Sequence, residues 1–227
     1  MIGIFDSGAG GEAALAELRR LAPRADICFF ADIKNAPYGT KSEYELKDLI
    51  KRDIKILKDA GSDKILMACC TASTLYDRLS ESEKKLCIPI ISPTVDSALK
   101  SAKRGRIGVV ATRHTVNSHA FSEEIGKRLP SCCVKEYEAQ FLVNIAEERK
   151  RKKEPTSKDL LRIKELTKKI RNEDLDVLIL GCTHFSLLED IIEKELSELS
   201  LINSAKEGAR KIYDTVDTDG HGKTIYL

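Results

Sequence analysis

Short apolar runs alternate with helical stretches along nearly the whole chain. Ile2 to Phe5, Ile27 to Ala31, Lys64 to Ala68, Ile88 to Ile91, Arg106 to Ala111, Cys132 to Tyr137 and Asp176 to Leu180 read as strands. Between them lie stretches such as Glu43 to Ala60, where Leu46, Leu49, Ile50, Ile54 and Leu57 recur at helical spacing. Strands joined by crossover helices pair in parallel, so the alternation predicts an α/β fold built on parallel sheets. In such sheets ligands bind beyond the carboxyl ends of the strands.

Two of the runs end in cysteine at that edge. Ile65-Leu66-Met67-Ala68-Cys69-Cys70-Thr71-Ala72-Ser73 and Val177-Leu178-Ile179-Leu180-Gly181-Cys182-Thr183-His184-Phe185 each carry a strand into a Cys, a hydroxyl residue and a helix start. The echo predicts two similar α/β units with chain crossings near Ser92-Pro93 and Asn203-Ser204. Residues 1–93 with 204–227 then form one domain and residues 94–203 the other. Two thiols facing one pocket can take a proton from one face of a carbon and return one to the other. Helix amino termini favour thiolates, so both thiols are expected below the ordinary Cys value. His184 stands where it can tune or protonate Cys182.

The first strand runs into Asp6-Ser7-Gly8-Ala9-Gly10-Gly11, which supports three readings. Gly8-x-Gly10-x-x-Ala13, with Asp32 at ribose distance, fits a dinucleotide fingerprint. Asp6 aimed into the cleft instead repels pyrophosphate and attracts a substrate ammonium. The third reading is a glycine-rich turn with Asp6 capping the helix.

Charge narrows the function classes. The net charge is +2, from 38 basic and 36 acidic residues, so no lopsided basic face points to nucleic acid. Arg149-Lys150-Arg151-Lys152-Lys153, set between Glu147-Glu148 and Glu154, reads as a solvated helix end. No secretory leader and no membrane-length apolar run is visible, and the cytoplasm is the expected compartment. The seven cysteines then read as free thiols. Cys28, Cys87, Cys132 and Cys133 are expected to be buried spectators. Adjacent pairs lack the C-x-x-C spacing of zinc sites, so no metal is expected.

Four segments together resemble the motif set of glutamate racemases. They are Phe5-Asp6-Ser7-Gly8-Ala9-Gly10-Gly11, Pro37-Tyr38-Gly39-Thr40-Lys41-Ser42, Ala68-Cys69-Cys70-Thr71-Ala72-Ser73 and Gly181-Cys182-Thr183-His184-Phe185. Thr112, Thr115 and Ser118 resemble the family's middle segment, and the similarity runs from Ile2 to about Asp214. The resemblance implies two pseudo-symmetric α/β domains and racemisation of an amino acid without a cofactor. It makes Cys69 and Cys182 the acid/base thiols, assisted by Asp6 and His184. Ser7 helps hold the substrate, Pro37, Tyr38 and Gly39 receive its side-chain carboxylate, and Thr71 and Thr183 grip its α-carboxylate and ammonium. Glu147 matches a further acidic residue, although the family's Pro-Gly run before it is missing.

The sequence departs from that pattern in two places. Cys70 stands where the family usually has Asn, replacing a donor and acceptor with a weakly polar thiol. The sequence also stops at Leu227, where the family commonly continues. The leading expectation is interconversion of L- and D-glutamate for peptidoglycan, with a homodimer as the assembly. A racemase of another small amino acid such as aspartate, or a non-catalytic binding paralogue, is the alternative.

Overall fold

A computed structural model describes residues 1–227. In the first part of the chain the elements are β1 (Ile2–Asp6), α1 (Gly11–Leu21), β2 (Ile27–Ala31), α2 (Glu43–Asp59), β3 (Lys64–Met67), α3 (Cys70–Ser73), α4 (Glu81–Leu86), β4 (Cys87–Pro89) and α5 (Ile91–Ser101). There follow β5 (Arg106–Ala111), α6 (Arg113–Asn117), α7 (Ala120–Arg128), β6 (Cys133–Glu138), α8 (Phe141–Lys150) and α9 (Ser157–Arg171). The chain closes with β7 (Val177–Gly181), α10 (Glu189–Glu195), β8 (Ser200–Asn203), α11 (Ser204–Tyr213) and β9 (Thr224–Tyr226).

All pairings are parallel. One sheet has the order β4-β3-β1-β2-β9, the other β6-β5-β7-β8. Set side by side, the sheets repeat one design. β2-β1-β3-β4 matches β6-β5-β7-β8 in order, and β9 is an addition at one edge. The strands leading to Cys69 and Cys182, β3 and β7, therefore hold the same place in their sheets. Both are buried along almost their whole length, as parallel strands covered on two faces must be.

The helices follow from local chemistry. Ser42 opens α2 with a capping box, accepting from the Glu45 amide while the Glu45 carboxylate accepts from its own. Leu46, Ile50, Ile54 and Leu57 then fall on one buried stripe, and the helix packs against β1 and β2. Between the sheets lies a different layer, made of α1, α5 and α11, which pack on one another. α5 touches β7 and β8, and α11 touches strands of both sheets. The largest apolar cluster, of 29 residues, accordingly joins Ile4 and Leu18 to Val95, Ile107, Ile179 and Ala205. Gly208 lets α11 sit this close, since a Cβ there would lie 2.7 Å from Ile90 Cγ1. Smaller clusters of 16 and 14 residues are centred one in each half.

Several expectations are corrected. The strand expected at Ile88 to Ile91 is Cys87–Pro89, and Ile91 already begins α5. Near the expected crossings, Ser92 and Pro93 lie in the first turn of α5, and Asn203 caps α11 by accepting from the Ala205 amide. β8 and β9 were not expected from the sequence. Each is short, and β9 is held partly by Arg19, whose guanidinium donates to the Lys223 carbonyl at 3.0 Å and to Thr224 Oγ1 at 2.6 Å. Cys133 is exposed and Cys132 only half-buried, because β6 is an edge strand. The basic run at the end of α8 is ion-paired: Arg149 to Asp190, Lys150 to Glu12, and Arg151 and Lys153 to Glu148. No helix is long and apolar enough to cross a membrane.

Candidate active site

Loops at the carboxyl ends of both sheets meet around one small cavity. Ser7 follows β1, Pro37 to Gly39 follow β2, and Cys69, Cys70 and Thr71 follow β3. From the other half come Thr112 after β5, Gln140 and Val143 after β6, and Cys182, Thr183 and His184 after β7. The free space enclosed is only about 10 Å³. A roomier cleft of about 300 Å³ beside Tyr76, Asp77 and Lys127 holds no thiol or imidazole.

Each thiol has its own support. Cys69 Sγ donates to Ser7 Oγ at 3.6 Å. Cys182 Sγ lies 3.8 Å from His184 Nδ1, and His184 Nε2 lies 2.8 Å from Glu147 Oε1. With the ring's hydrogen on Nε2 donating to Glu147, Nδ1 is left to accept from the thiol. Asp6 sits behind the wall. It accepts from the Gly8 amide at 2.7 Å and from the Thr183 hydroxyl at 2.8 Å, so it links the loops of both halves. Thr71, Thr112 and Thr115 form a triangle of buried hydroxyls 2.9 to 3.3 Å apart, again joining the halves.

Burial governs the protonation of the thiols. It pushes Cys69 up to about 12, the nearby Asp6 adds to this, and hydrogen bonds from the Ala72 and Ser7 amides only partly oppose it. Cys182 is raised well above its ordinary value by burial first, then by the neighbouring thiols of Cys70 and Cys69. The expectation of lowered values is therefore overturned. Cys69 caps a helix of four residues and Cys182 a short 3-10 turn, too little dipole to repay the loss of water. Asp6 is likewise raised by burial against the pull of His184 and its hydrogen-bond donors. Glu147 is lowered, chiefly by its hydrogen bond with His184.

The glycine loop leaves no room for a pyrophosphate. A Cβ on Gly10 would fall 2.5 Å from both the His184 amide nitrogen and Thr183 Oγ1. Its smallness thus serves contact between the two halves. Asp32 is turned away as well, bound to Asn35, Tyr38 and Arg52.

Of the residues singled out in the sequence, Ser7, Pro37, Tyr38, Gly39, Cys69, Cys70, Thr71, Cys182, Thr183 and His184 line the cavity. Asp6 and Glu147 stand one layer behind it, hydrogen-bonded to Thr183 and His184. Cys70 faces two ways, lining the cavity while belonging to the core between the sheets. Burial raises its thiol also. Gln140 and Val143 had no signal of their own in the sequence. Gln140 follows β6 as the Pro37–Gly39 loop follows β2, so only the internal repeat, extended strand by strand, points to that position.

A family model described as Asp/Glu/Hydantoin racemase matches residues 12–212. A glutamate racemase of Persephonella marina is 36% identical over 224 residues, covering 98% of this chain and 85% of that protein. One from Aquifex aeolicus is 33% identical over 97% of this chain and 85% of its own. Among solved structures, a glutamate racemase isoform of Bacillus anthracis superposes with a TM-score of 0.88 and 29% identity, covering 100% of this chain and 86% of that chain. The glutamate racemase of Francisella tularensis, solved in complex with D-glutamate, gives 0.88 and 29% over 99% and 86%.

Proposed function

The chain belongs to the Asp/Glu/hydantoin racemase family, and from that premise we propose that it interconverts L- and D-glutamate, without a cofactor, through Cys69 and Cys182. The observation that carries this reading is the placement of two buried thiols, from equivalent strands of the two sheets, in the wall of one cavity. The product serves peptidoglycan precursor synthesis in the cytoplasm. Residues 1–93 with 204–227 form one catalytic half and residues 94–203 the other.

Inversion needs one thiolate and one thiol on opposite faces of Cα, in either pairing, so the two groups titrate together. Burial favours the protonated form of both. A substrate ammonium brings the positive charge that favours one thiolate in place of the lost water. On the Cys182 side, His184 Nδ1 is the acceptor nearest the thiol, and Glu147 fixes the ring. On the Cys69 side, Ser7 orients the sulfur, while Asp6 holds Thr183 against the cavity. The carbanion formed between them is stabilised by hydrogen bonds from Thr71, Thr183 and backbone amides in a site closed to water. Pro37, Tyr38 and Gly39 receive the side-chain carboxylate.

Purified protein incubated with L- or D-glutamate, and separately with the aspartate enantiomers, should racemise glutamate from both directions after exhaustive dialysis, read by chiral chromatography. In heavy water the product should carry deuterium at Cα from its first appearance. Turnover of aspartate alone, or of neither amino acid, rejects the glutamate reading.

A further inference from the structure

Behind the cavity wall, Tyr38, Asp32, Asp53 and Arg52 form a polar group in which the phenol and both carboxyls are buried and the guanidinium reaches the surface. Tyr38 is 1% exposed, although it belongs to a loop at the mouth of a polar site. Its Oη lies 2.7 Å from Asp32 Oδ2 and 2.6 Å from Asp53 Oδ2. Asp53 projects from α2 and is fully buried, and Asp32 follows β2 and is 4% exposed. Arg52 closes the group, donating to Asp32 Oδ2 and, at 2.8 Å, to Asp53 Oδ1. Asn35 Nδ2 donates to Asp32 Oδ1 at 2.9 Å.

One phenol carries one hydrogen, yet two carboxylate oxygens stand within bonding distance of it. Two ionised carboxylates there would leave an oxygen facing an oxygen in a dry pocket, with one guanidinium between two negative charges. A single added proton resolves this. We infer that Asp53, Asp32 and Arg52 are positioning residues for the substrate-carboxylate loop, with a proton on Asp53 Oδ2 donated to Tyr38 Oη and the phenol hydrogen donated to Asp32 Oδ2. This inference rests on the proposed role of Pro37, Tyr38 and Gly39 in receiving the side-chain carboxylate.

The donor and acceptor count closes. Asp32, ionised, accepts from the phenol, Arg52 and Asn35. Asp53, neutral, donates through Oδ2 and accepts from Arg52 through Oδ1. Asp32 is held low by these hydrogen bonds, which together outweigh its burial. Burial pushes Asp53 up to about 6, against hydrogen bonds with Tyr38 and Arg52. The phenol hydrogen cannot lower both carboxylates at once. With it on Asp32, Asp53 is left without a hydrogen from the phenol. The group ties the 37–39 loop to α2 and β2, so the backbone facing the cavity keeps one position.

The test compares neutral and apolar replacements. Asp53→Asn keeps a donor toward the phenol and an acceptor toward Arg52, whereas Asp53→Leu keeps neither. Asp53→Leu and Asp32→Asn should raise KM for glutamate on the order of tenfold, the effect of one lost hydrogen bond to a charged group. Their kcat should change much less, because the side-chain carboxylate is bound remote from the reacting carbon. Asp53→Asn should restore most of the KM lost in Asp53→Leu. Infrared difference spectra of wild type against Asp53→Asn at neutral pH should show loss of one protonated-carboxyl C=O stretch. That readout needs no turnover, and so remains decisive if Asp53→Leu fails to fold or if glutamate is not the substrate. Absence of the band, or Asp53→Asn behaving like Asp53→Leu, overturns the inference while leaving racemisation untouched.

Discussion

At the scale of single residues, the same chemical type plays different parts according to where a strand leaves it. Cys69 and Cys182 wall the cavity, Cys28 and Cys87 are core, and Cys133 is exposed. Cys69→Ala or Cys182→Ala alone should abolish glutamate racemisation in both directions, since each face of Cα needs its own proton carrier. Cys28→Ala should retain activity, and near wild-type turnover by either cavity variant would sink the two-thiol mechanism. The thiols could be read in the sequence because each sits at a strand end with a threonine one or two residues on. Their protonation could not. It depends on burial and on the charges of Asp6 and of the facing thiols, which are distant in the chain. Gln140 was invisible for a related reason, since its place in the wall follows from the register of β6 and not from its neighbours in sequence.

Elements were legible where the apolar pattern was long or continuous, as in α2, β5 and β7. They were missed where three or four residues suffice, because β8 and β9 draw their hydrogen bonds from β7 and β2 and carry little pattern of their own. The ends of helices offer a separate test. Thr156 opens α9 with a capping box, accepting from the Asp159 amide at 3.2 Å while Asp159 Oδ2 accepts from the Thr156 amide at 3.0 Å. Thr156→Ala should lower stability by about 1 kcal/mol in chemical denaturation. It should leave the racemisation rate unchanged, because α9 contributes nothing to the cavity. A fall in rate without a fall in stability would place α9 in the working parts of the enzyme.

At the scale of the molecule, the repeat seen faintly in two cysteine segments extends to four strands in each sheet, but beside a small core of their own the halves share a larger one. Helices α1, α5 and α11 put residues of both into one cluster of 29. Ile90→Ala, in that cluster, should cost about 2–5 kcal/mol and shift a single calorimetric transition. Two resolved transitions, only one of them moved, would mean that the halves unfold independently. Alkaline stability follows from the buried thiols. Cys69 and Cys87 rise from an ordinary value of 9.0 to about 12. Below pH 9 neither folded nor unfolded thiols are ionised. Between about pH 9 and 12 the unfolded chain gains thiolates that the folded one refuses, so stability should fall by about 1.4 kcal/mol per pH unit for each such thiol. Urea titrations across that window should show a shallower slope for Cys87→Ala than for wild type. The cavity of about 10 Å³ has a consequence for timing. A chamber with space for one water cannot admit an amino acid while shut, so every turnover begins and ends with its two walls drawing apart. Opening then stands beside proton transfer as a step that every turnover must pass. Thickening the solvent with sucrose should slow steady-state turnover more than it slows a single conversion of substrate already enclosed.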